Sequence, residues 1–336
     1  MDISLLHGAL KEEKKFRHTQ ADKAVFVDLI EDWSQASIFP LSLREKLNQS
    51  CPLEIKAELS HGNSKKGAVK ALITLADFEQ IETVLIPQAD GRFSVCLSSQ
   101  VGCPLACVFC ATGMQGFTRN LRAEEIVEQF LFWARYLKKE NYGRIDNAVF
   151  MGQGEPFLNY EEVMKSIKIL NDPETFNFGA RRISISTAGI VNGIKRLSGE
   201  KLQVNLAISL HAPNDALRSN IMPAAGQTPI RKLLEAVDNY IEKTGRRVMF
   251  EYLLIKELND RDEDAIMLAK ILNKPLYLVN LIPYNQTGRF QPSSPARTAR
   301  FMELLERAGL PVTARRSSGQ EIDAACGQLA GKRKKS

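Results

Sequence analysis

Three closely spaced cysteines are the residues whose types and spacing most directly indicate chemistry. Cys103, Cys107 and Cys110 form a C-x3-C-x2-C pattern. Thiolates at this spacing can hold three irons of a 4Fe–4S cluster. No further cysteine follows at ligand spacing, which leaves one iron open to an exogenous ligand. The pattern therefore predicts an iron–sulfur cluster with one iron open for chemistry.

Two other interpretations of these cysteines stay open at this point. They could form a structural zinc site with Cys96 as the fourth ligand, or a group of buried apolar thiols. Structural zinc normally takes four protein ligands from two paired half-sites, and only one such group is present in the sequence. The spacing therefore favours the cluster.

Length and composition exclude several classes of protein. A chain of 336 residues can hold one large domain with an appendage. Its 6 cysteines and 4 histidines do not form the pattern of a disulfide scaffold. The charged N-terminus is not typical of a secretory signal, and no apolar run is long enough to span a bilayer. We therefore expect a cytoplasmic protein, by default a monomer. Its net charge of +6 permits RNA as a partner.

Alternating apolar segments predict the elements that must position these residues. The pattern favours six β/α units, an α/β fold and a partial (β/α)6 barrel, whose chemistry collects at the carboxyl ends of the strands. The predicted strands are Val69–Leu75, Thr83–Pro87, Phe93–Ser98, Asn147–Met151, Ile183–Ser186, Val204–Leu210, Val248–Leu254, Leu276–Ile282 and one near Val312. The predicted helices of the barrel are Ala123–Lys139, Tyr160–Leu170, Val191–Leu197, Ile230–Lys243, Asp262–Leu272 and Ala296–Ala308.

The rest of the chain divides into smaller segments. Helices are predicted at Asp22–Trp33 and Leu41–Leu47, and Ser60–Gly67 has the composition of a flexible connection. The predicted organisation is a helical accessory domain at 1–64, connecting strands at 65–92, the barrel at 93–316, a C-terminal loop at 317–331 and a basic disordered tail at 332–336.

Polar residues gather where the predicted strands end. The strand at 147–151 runs into Gly154 and Glu155, whose carboxylate can accept a hydrogen bond from an ammonium group. Ser186, the segment Ser209-Leu210-His211 and Asn285 also follow strands. Helix capping or a strand-end hydrogen bond would explain each of them equally well when it is taken alone.

Two cysteines outside the C-x3-C-x2-C pattern differ from ordinary buried thiols. Cys96 lies on a predicted strand shortly before Cys103, so we expect it near the cluster. Cys326 lies in a stretch of small and polar residues, which favours a mobile loop and an accessible thiolate. Cys51, by contrast, is interpreted as a small buried hydrophobe.

Several long segments resemble the RlmN/Cfr family of radical S-adenosylmethionine (SAM) RNA adenine methyltransferases. They are Val95–Cys103, Phe109–Gly113, Gly116–Leu121, Ala207–Asn214 and Asp323–Gly331, and the resemblance extends from about Phe16 to Gly331. One departure is Gln153, where the family usually has Met.

The resemblance implies a set of site residues. Cys103, Cys107 and Cys110 would ligate one 4Fe–4S cluster, with two SAM molecules used per turnover. Seven residues would contact SAM: Gly154, Glu155, Ser186, Ser209, Leu210, His211 and Asn285.

The same resemblance implies roles for three further residues. Cys326 would be methylated by one SAM and then lose a hydrogen to the radical from a second SAM, and the resulting methylene radical would add to adenine. Glu82 would accept the ring proton. Cys96 would release the covalent RNA adduct by forming a transient disulfide with Cys326.

The implied partners are an adenine in the peptidyl-transferase centre of 23S rRNA, the adenine 3′ of the tRNA anticodon, and an electron donor such as flavodoxin or ferredoxin. The N-terminal region would be an RNA-binding accessory domain.

Two alternative functions remain. Cfr-type enzymes methylate C8 instead, although Pro156 is more similar to the RlmN branch. A non-catalytic RNA-binding protein with an iron or zinc centre would give Cys96 and Cys326 no joint role.

Overall fold

The computed structural model of the chain describes residues 4–63, 67–315 and 318–330. The predicted tail at 332–336 lies outside them. Within the described ranges, no helix is both long and apolar enough to cross a membrane.

A continuous sheet of ten strands organises the molecule, and a separate two-stranded pair carries the cysteine segment. The strands are β1 (Ala57–His61), β2 (Val69–Thr74), β3 (Gln80–Pro87), β4 (Phe93–Cys96), β5 (Gln100–Gly102), β6 (Phe117–Asn120), β7 (Asn147–Phe150), β8 (Ile183–Thr187), β9 (Asn205–Ser209), β10 (Val248–Leu254), β11 (Tyr277–Pro283) and β12 (Val312–Ala314).

The helices fall into an N-terminal group and a group that follows the strands. They are α1 (Ser4–Ala9), α2 (Lys15–Asp22), α3 (Leu41–Ser50), α4 (Ala111–Gln115), α5 (Ala123–Lys139), α6 (Tyr160–Asn171), α7 (Val191–Leu197), α8 (Asp215–Ile221), α9 (Ile230–Thr244), α10 (Asp262–Ile271) and α11 (Pro295–Arg307).

The sheet changes from antiparallel to parallel along its width. Strands β1 to β4 pair antiparallel, and β4 then pairs in parallel with β7, followed in order by β8, β9, β10, β11 and the short β12. The parallel strands are apolar and mostly buried, as expected where helices cover the outer face. Six full parallel strands leave the barrel open, so the predicted α/β partial barrel is confirmed.

The predicted helix Asp22–Trp33 is wrong in its second half. A wider helical turn at Lys23–Val27 follows α2, and Leu29 then takes a left-handed conformation with φ 57°. Asp32 starts a separate short turn, because its carboxylate accepts the Ser34 N–H at 2.7 Å. The left-handed residue Leu29 therefore interrupts the helix that the apolar pattern predicted, and the Asp32 cap begins a new turn beyond it.

The predicted flexible connection Ser60–Gly67 is also partly wrong. Ser60 and His61 belong to β1, and His61 pairs with Val69 of β2. Four of the five β1 residues are exposed, so the strand lacks the alternation that would have revealed it. Residues 64–66 of the stretch lie outside the described ranges.

The N-terminal helices pack against the barrel and share its core. Arg135 of α5 joins the two parts, because its buried guanidinium donates to the carbonyls of Leu53, at 2.8 Å, and Ile30. These bonds hold the N-terminal region in place against helix α5 of the barrel.

Candidate active site

The carboxyl ends of the parallel strands surround a cavity of about 160 Å³. Nine predicted site residues line it: Cys103, Cys107, Cys110, Gly154, Glu155, Ser186, Ser209, His211 and Cys326. Three larger clefts, of about 910, 470 and 1040 Å³, contain none of the predicted site residues. The strand-end cavity is therefore the candidate active site.

The cysteine segment is anchored at both ends of its loop. The Cys103 N–H donates to the Gly116 carbonyl at 2.9 Å, and the Val108 N–H donates to the Ile221 carbonyl at 3.0 Å. These bonds place all three predicted cluster cysteines on one wall of the cavity.

Three thiols around one cavity fit a polynuclear cluster, in which each iron takes a single cysteine. Among the described residues, no three Cys, His, Asp or Glu side chains converge on one metal position. Cys96 does not line this cavity wall, which counts against the zinc interpretation.

Burial raises the pKa of Cys103 to about 12 and also raises that of Cys107. Iron would favour the thiolate forms, because cysteine ligates metals without its proton.

Gly154 and Glu155 form a tightly fixed turn after β7. Gly154 has φ +98°, and an added Cβ would lie 2.5 Å from the Gln100 side chain, so the turn requires glycine. The buried Glu155 carboxylate accepts from Thr187 Oγ1 at 2.7 Å, the Ala188 N–H at 2.7 Å and the Phe157 N–H at 3.0 Å. A carboxylate has about four acceptor positions, so one remains for a ligand.

The side chains of Ser186, Ser209 and Glu251 form a polar group that lines the cavity. Ser186 Oγ donates to Glu251 Oε2 at 3.0 Å and lies 3.3 Å from Ser209 Oγ. Burial raises the pKa of the Glu251 carboxyl, although Arg315 opposes this shift. The sequence analysis did not select Glu251.

His211 is fixed as a neutral hydrogen-bond donor. Its backbone has φ 58°, held by Asn259 Nδ2, which donates to the His211 carbonyl at 2.8 Å. Nδ1 accepts the Leu253 N–H at 3.1 Å, so the proton of the neutral ring lies on Nε2. Burial, with Arg218 nearby, lowers its pKa to about 3.

The C-terminal loop closes one side of the cavity. The Gly327 carbonyl accepts the Ala111 N–H at 2.7 Å, and the Leu329 carbonyl accepts from Thr112 Oγ1 at 2.5 Å. The loop thus packs against the cysteine segment, and Cys326 within it is half-buried.

Two residues predicted to contact SAM have side chains that are engaged outside the cavity. Asn285 Nδ2 donates to the Cys326 carbonyl at 3.0 Å, and its Oδ1 accepts from Gln320 Nε2 at 2.7 Å, so its amide holds the loop. The Leu210 side chain is fully buried in the main core. Neither lines the cavity, although the Leu210 N–H is held by the Glu251 carbonyl at 3.0 Å.

Cys96 and Cys326 approach each other from different elements. Cys96, at the end of β4, packs with Ala324 and Leu329 of the C-terminal loop. Burial and the neighbouring Cys326 raise the pKa of Cys96 to about 12. Burial also raises the pKa of Cys326, and Arg315 opposes that shift. Both cysteines are free thiols, so no disulfide joins them in this structure.

Glu82 is buried rather than facing solvent. Its Oε1 lies 3.0 Å from Lys70 Nζ, and its Oε2 accepts the Ala330 N–H at 2.7 Å. Gln153, at the position where the family usually has Met, accepts the Glu82 N–H through Oε1 at 3.0 Å. Glu82 therefore contacts the same loop as Cys326, outside the cavity wall.

Comparisons with known proteins bear directly on this geometry. The sequence model of the Radical SAM superfamily matches residues 97–269. A probable dual-specificity RNA methyltransferase RlmN from Syntrophomonas wolfei is 44% identical over 327 residues, which cover 95% of this chain and 92% of that protein. This chain belongs to the RlmN family of radical SAM proteins.

Further comparisons agree with this assignment and confirm the resemblance stated from the sequence. An Enterococcus faecalis protein, also named as a probable dual-specificity RNA methyltransferase RlmN, is 41% identical and matches 100% of this chain and 94% of its own length. A radical SAM methyltransferase structure from Sphaerobacter thermophilus superimposes with a TM-score of 0.93 at 42% identity, covering 99% of this chain and 98% of its own. Membership of the RlmN family implies a 4Fe–4S cluster and SAM as cofactors.

Sequence analysis missed three residues that the site uses. Lys70 and Arg315 were not selected from the sequence, and only the fold brings them to Glu82 and Glu251. Glu251 did carry a signal, because it is the single charged residue in the apolar strand β10. A charge in a strand covered on both faces is rarely without a partner or a function.

We expect the His211 imidazole to stay neutral between about pH 5 and pH 8, because its pKa is lowered to about 3. The folded state thus excludes a proton that the unfolded chain binds. The part of the folding stability that depends on a neutral His211 is therefore fully present above a pH of about 6.5. It is lost as the pH falls toward 3, because protons then bind preferentially to the unfolded chain. Nitrogen-15 NMR of histidine-labelled protein should show the Nε2–H tautomer throughout this range, with the signal assigned by its loss in His211→Gln. A protonation midpoint near pH 6 would contradict the assignment.

Proposed function

We propose that this chain methylates C2 of an adenine in the peptidyl-transferase centre of 23S rRNA and C2 of the adenine 3′ of the tRNA anticodon. The observation that supports this most is the common cavity of Cys326 and the cysteines Cys103, Cys107 and Cys110. A thiol that receives a methyl group must lie beside the site where SAM is activated, and this arrangement meets that requirement.

Cys103, Cys107 and Cys110 hold one 4Fe–4S cluster in this proposal, and two SAM molecules are used per turnover. When bound, the cluster supplies an electron, taken from a donor such as flavodoxin or ferredoxin, for the reductive cleavage of SAM. Glu155 offers its remaining acceptor position to the SAM ammonium group, and the Gly154 turn lets the backbone approach the ligand. Ser186, Ser209 and His211 Nε2–H provide further polar contacts.

Cys326 carries the methyl group between SAM and RNA. Its sulfur first attacks the methyl carbon of one SAM and displaces S-adenosylhomocysteine, and the S-methyl group then gives a hydrogen atom to the radical formed from the second SAM. The methylene radical adds to the adenine carbon, which is too electron-poor to attack SAM directly. The thioether tether gives this step a high effective concentration.

Glu82 and Cys96 complete the reaction. Glu82 accepts the ring proton, and its contact with the Ala330 N–H keeps it beside the loop of Cys326. Once the adduct radical has returned one electron to the oxidised donor, the Cys96 thiolate attacks the Cys326 sulfur. The S–S bond forms as the bond from sulfur to the methylene carbon breaks, and that carbon takes up a proton to become the methyl group. A thiol reductant then returns the disulfide to two thiols. Their proximity supports this step, since Cys96 packs with Ala324, two residues before Cys326.

The helical region at 1–64 is proposed as an RNA-binding accessory domain that acts as part of a monomer. Its attachment to α5 through Arg135 supports a fixed position beside the barrel. The net charge of +6 supports a phosphate-rich partner whose binding weakens with salt.

Cys103→Ala should prevent cluster assembly, because it removes one of three iron ligands. Anaerobic reconstitution with iron and sulfide, followed by absorbance and iron analysis, measures this. Cys51→Ala is the matched control, since Cys51 is buried in the N-terminal region. A Cys103→Ala protein that retains wild-type cluster absorbance would contradict the ligand assignment.

Cys96→Ala should trap the covalent RNA adduct, because the thiol that resolves it is missing. RNA comigrating with the protein on denaturing gels is the expected result. The double variant with Cys326→Ala should carry no RNA, and Cys51→Ala should behave as wild type. An absence of comigrating RNA for Cys96→Ala, from enzyme that still cleaves SAM, would overturn the resolving role.

A further inference from the structure

One carboxylate oxygen in the cavity lacks a well-formed hydrogen bond. Glu251 is 4% exposed and lines the cavity, and its Oε2 accepts from Ser186 Oγ at 3.0 Å. Its Oε1 is buried and makes no hydrogen bond of normal length with any described residue. The Asn280 amide, which pairs in register with Glu251 on β11, lies close enough to lower the pKa of the carboxyl. Arg315 Nη1 lies 3.8 Å from Oε1, which is close enough for an ion pair but too long for a hydrogen bond.

An unsatisfied buried oxygen on a charged group is costly, and native structures seldom keep one without a reason. Arg315 does not remove the cost, because its Nη1 is directed instead to Met151 Sδ at 3.3 Å. A ligand that brings a hydrogen-bond donor into the cavity would satisfy Oε1.

The neighbours of Glu251 indicate which donor fits. Ser186 Oγ and Ser209 Oγ lie 3.3 Å apart beside the carboxylate, so hydroxyl and carboxylate groups form one continuous polar surface. The vicinal diol of a ribose offers two donors to such a surface, and carboxylates are established acceptors for ribose hydroxyls. The Watson–Crick edge of adenine fits less well, since its ring nitrogen lone pair would face a negative charge.

We propose that Glu251 is a further nucleoside-binding residue, whose Oε1 accepts a hydrogen bond from a ribose hydroxyl of SAM. This inference rests on the proposed SAM site and adds a residue to it. Glu251 thereby orients the ribose, and with it the C5′ atom at which the SAM bond to sulfur breaks.

The test compares two probes that lack the amino-acid part of SAM, so that contacts to iron do not mask the ribose contact. Binding of 5′-methylthioadenosine and of its 2′,3′-dideoxy analogue is measured by calorimetry on the cluster-loaded protein. Wild-type protein should prefer the diol by roughly tenfold or more, as expected for a hydrogen bond to a charged acceptor.

Glu251→Gln keeps the shape of the side chain and an acceptor for Ser186, but it removes the charge. The preference for the diol should fall by roughly fivefold to tenfold, with little change in the affinity of the dideoxy probe. Asp238→Asn is the matched control, because Asp238 bonds to Lys274 and Tyr277 outside the cavity. Glu251→Ala provides a second variant that removes the acceptor completely.

The other outcomes separate this inference from the proposed function. If wild-type protein binds both probes equally, or if both Glu251 variants keep the full preference, the ribose contact is overturned and the SAM site stands. If Glu251→Gln weakens both probes equally and lowers the melting temperature, Glu251 acts only as the partner of Arg315. If wild-type protein binds neither probe, the proposed SAM site and this inference fall together.

Discussion

A pair of hydrogen bonds between the cysteine segment and the C-terminal loop is the interaction on which the rest of the site depends. The Ala111 N–H and Thr112 Oγ1 donate to the carbonyls of Gly327 and Leu329. These bonds join parts of the chain that are more than 200 positions apart in sequence. They hold Cys326 in the cavity of the predicted cluster cysteines, where a methyl carrier has to be.

The C-terminal loop makes further contacts with polar residues around the candidate active site. Asn285 holds the Cys326 carbonyl, Glu82 holds the Ala330 N–H, and Lys70 holds both Glu82 and the Asp323 carbonyl. Each bond comes from a different part of the fold. Movement of the loop would therefore change the surroundings of Cys326, the proposed methyl carrier, and of Glu82, the proposed base, together.

The barrel was predictable from sequence because its strands and helices carry strong and distinct periodic patterns. Helices Ala123–Lys139 and Val191–Leu197 and strand Val248–Leu254 were predicted to the residue. Strand β1 was not, because its exposed residues carry no apolar alternation. The predicted helix Asp22–Trp33 failed from Leu29 onward, where a left-handed residue and then a new turn capped by Asp32 replace it.

Gly154, Glu155, Ser186, Ser209 and His211 were predictable for a different reason: they follow parallel strands, whose ends meet at one edge of the sheet. The cysteines of the cavity were instead predicted from their spacing, their sequence context and the family resemblance. What the sequence could not show is which atoms are already engaged. Three bonds to Glu155 leave it one acceptor position, Asn285 holds a loop, and Glu251 keeps an oxygen that no described residue satisfies with a normal hydrogen bond. Such details depend on side-chain packing across distant elements, which no local pattern encodes.

The central claim is that Cys326 carries a methyl group to an adenine carbon, and isotope-resolved nucleoside mass spectrometry tests it most directly. Protein-free 23S rRNA would be incubated anaerobically with reconstituted enzyme, a reductant and SAM bearing a fully deuterated methyl group. The account predicts 2-methyladenosine that keeps two methyl deuteriums, since one is lost when the S-methyl group gives up a hydrogen atom. A product that keeps all three deuteriums, or no methyladenosine from enzyme that still cleaves SAM, would contradict it, and 8-methyladenosine would contradict the C2 assignment.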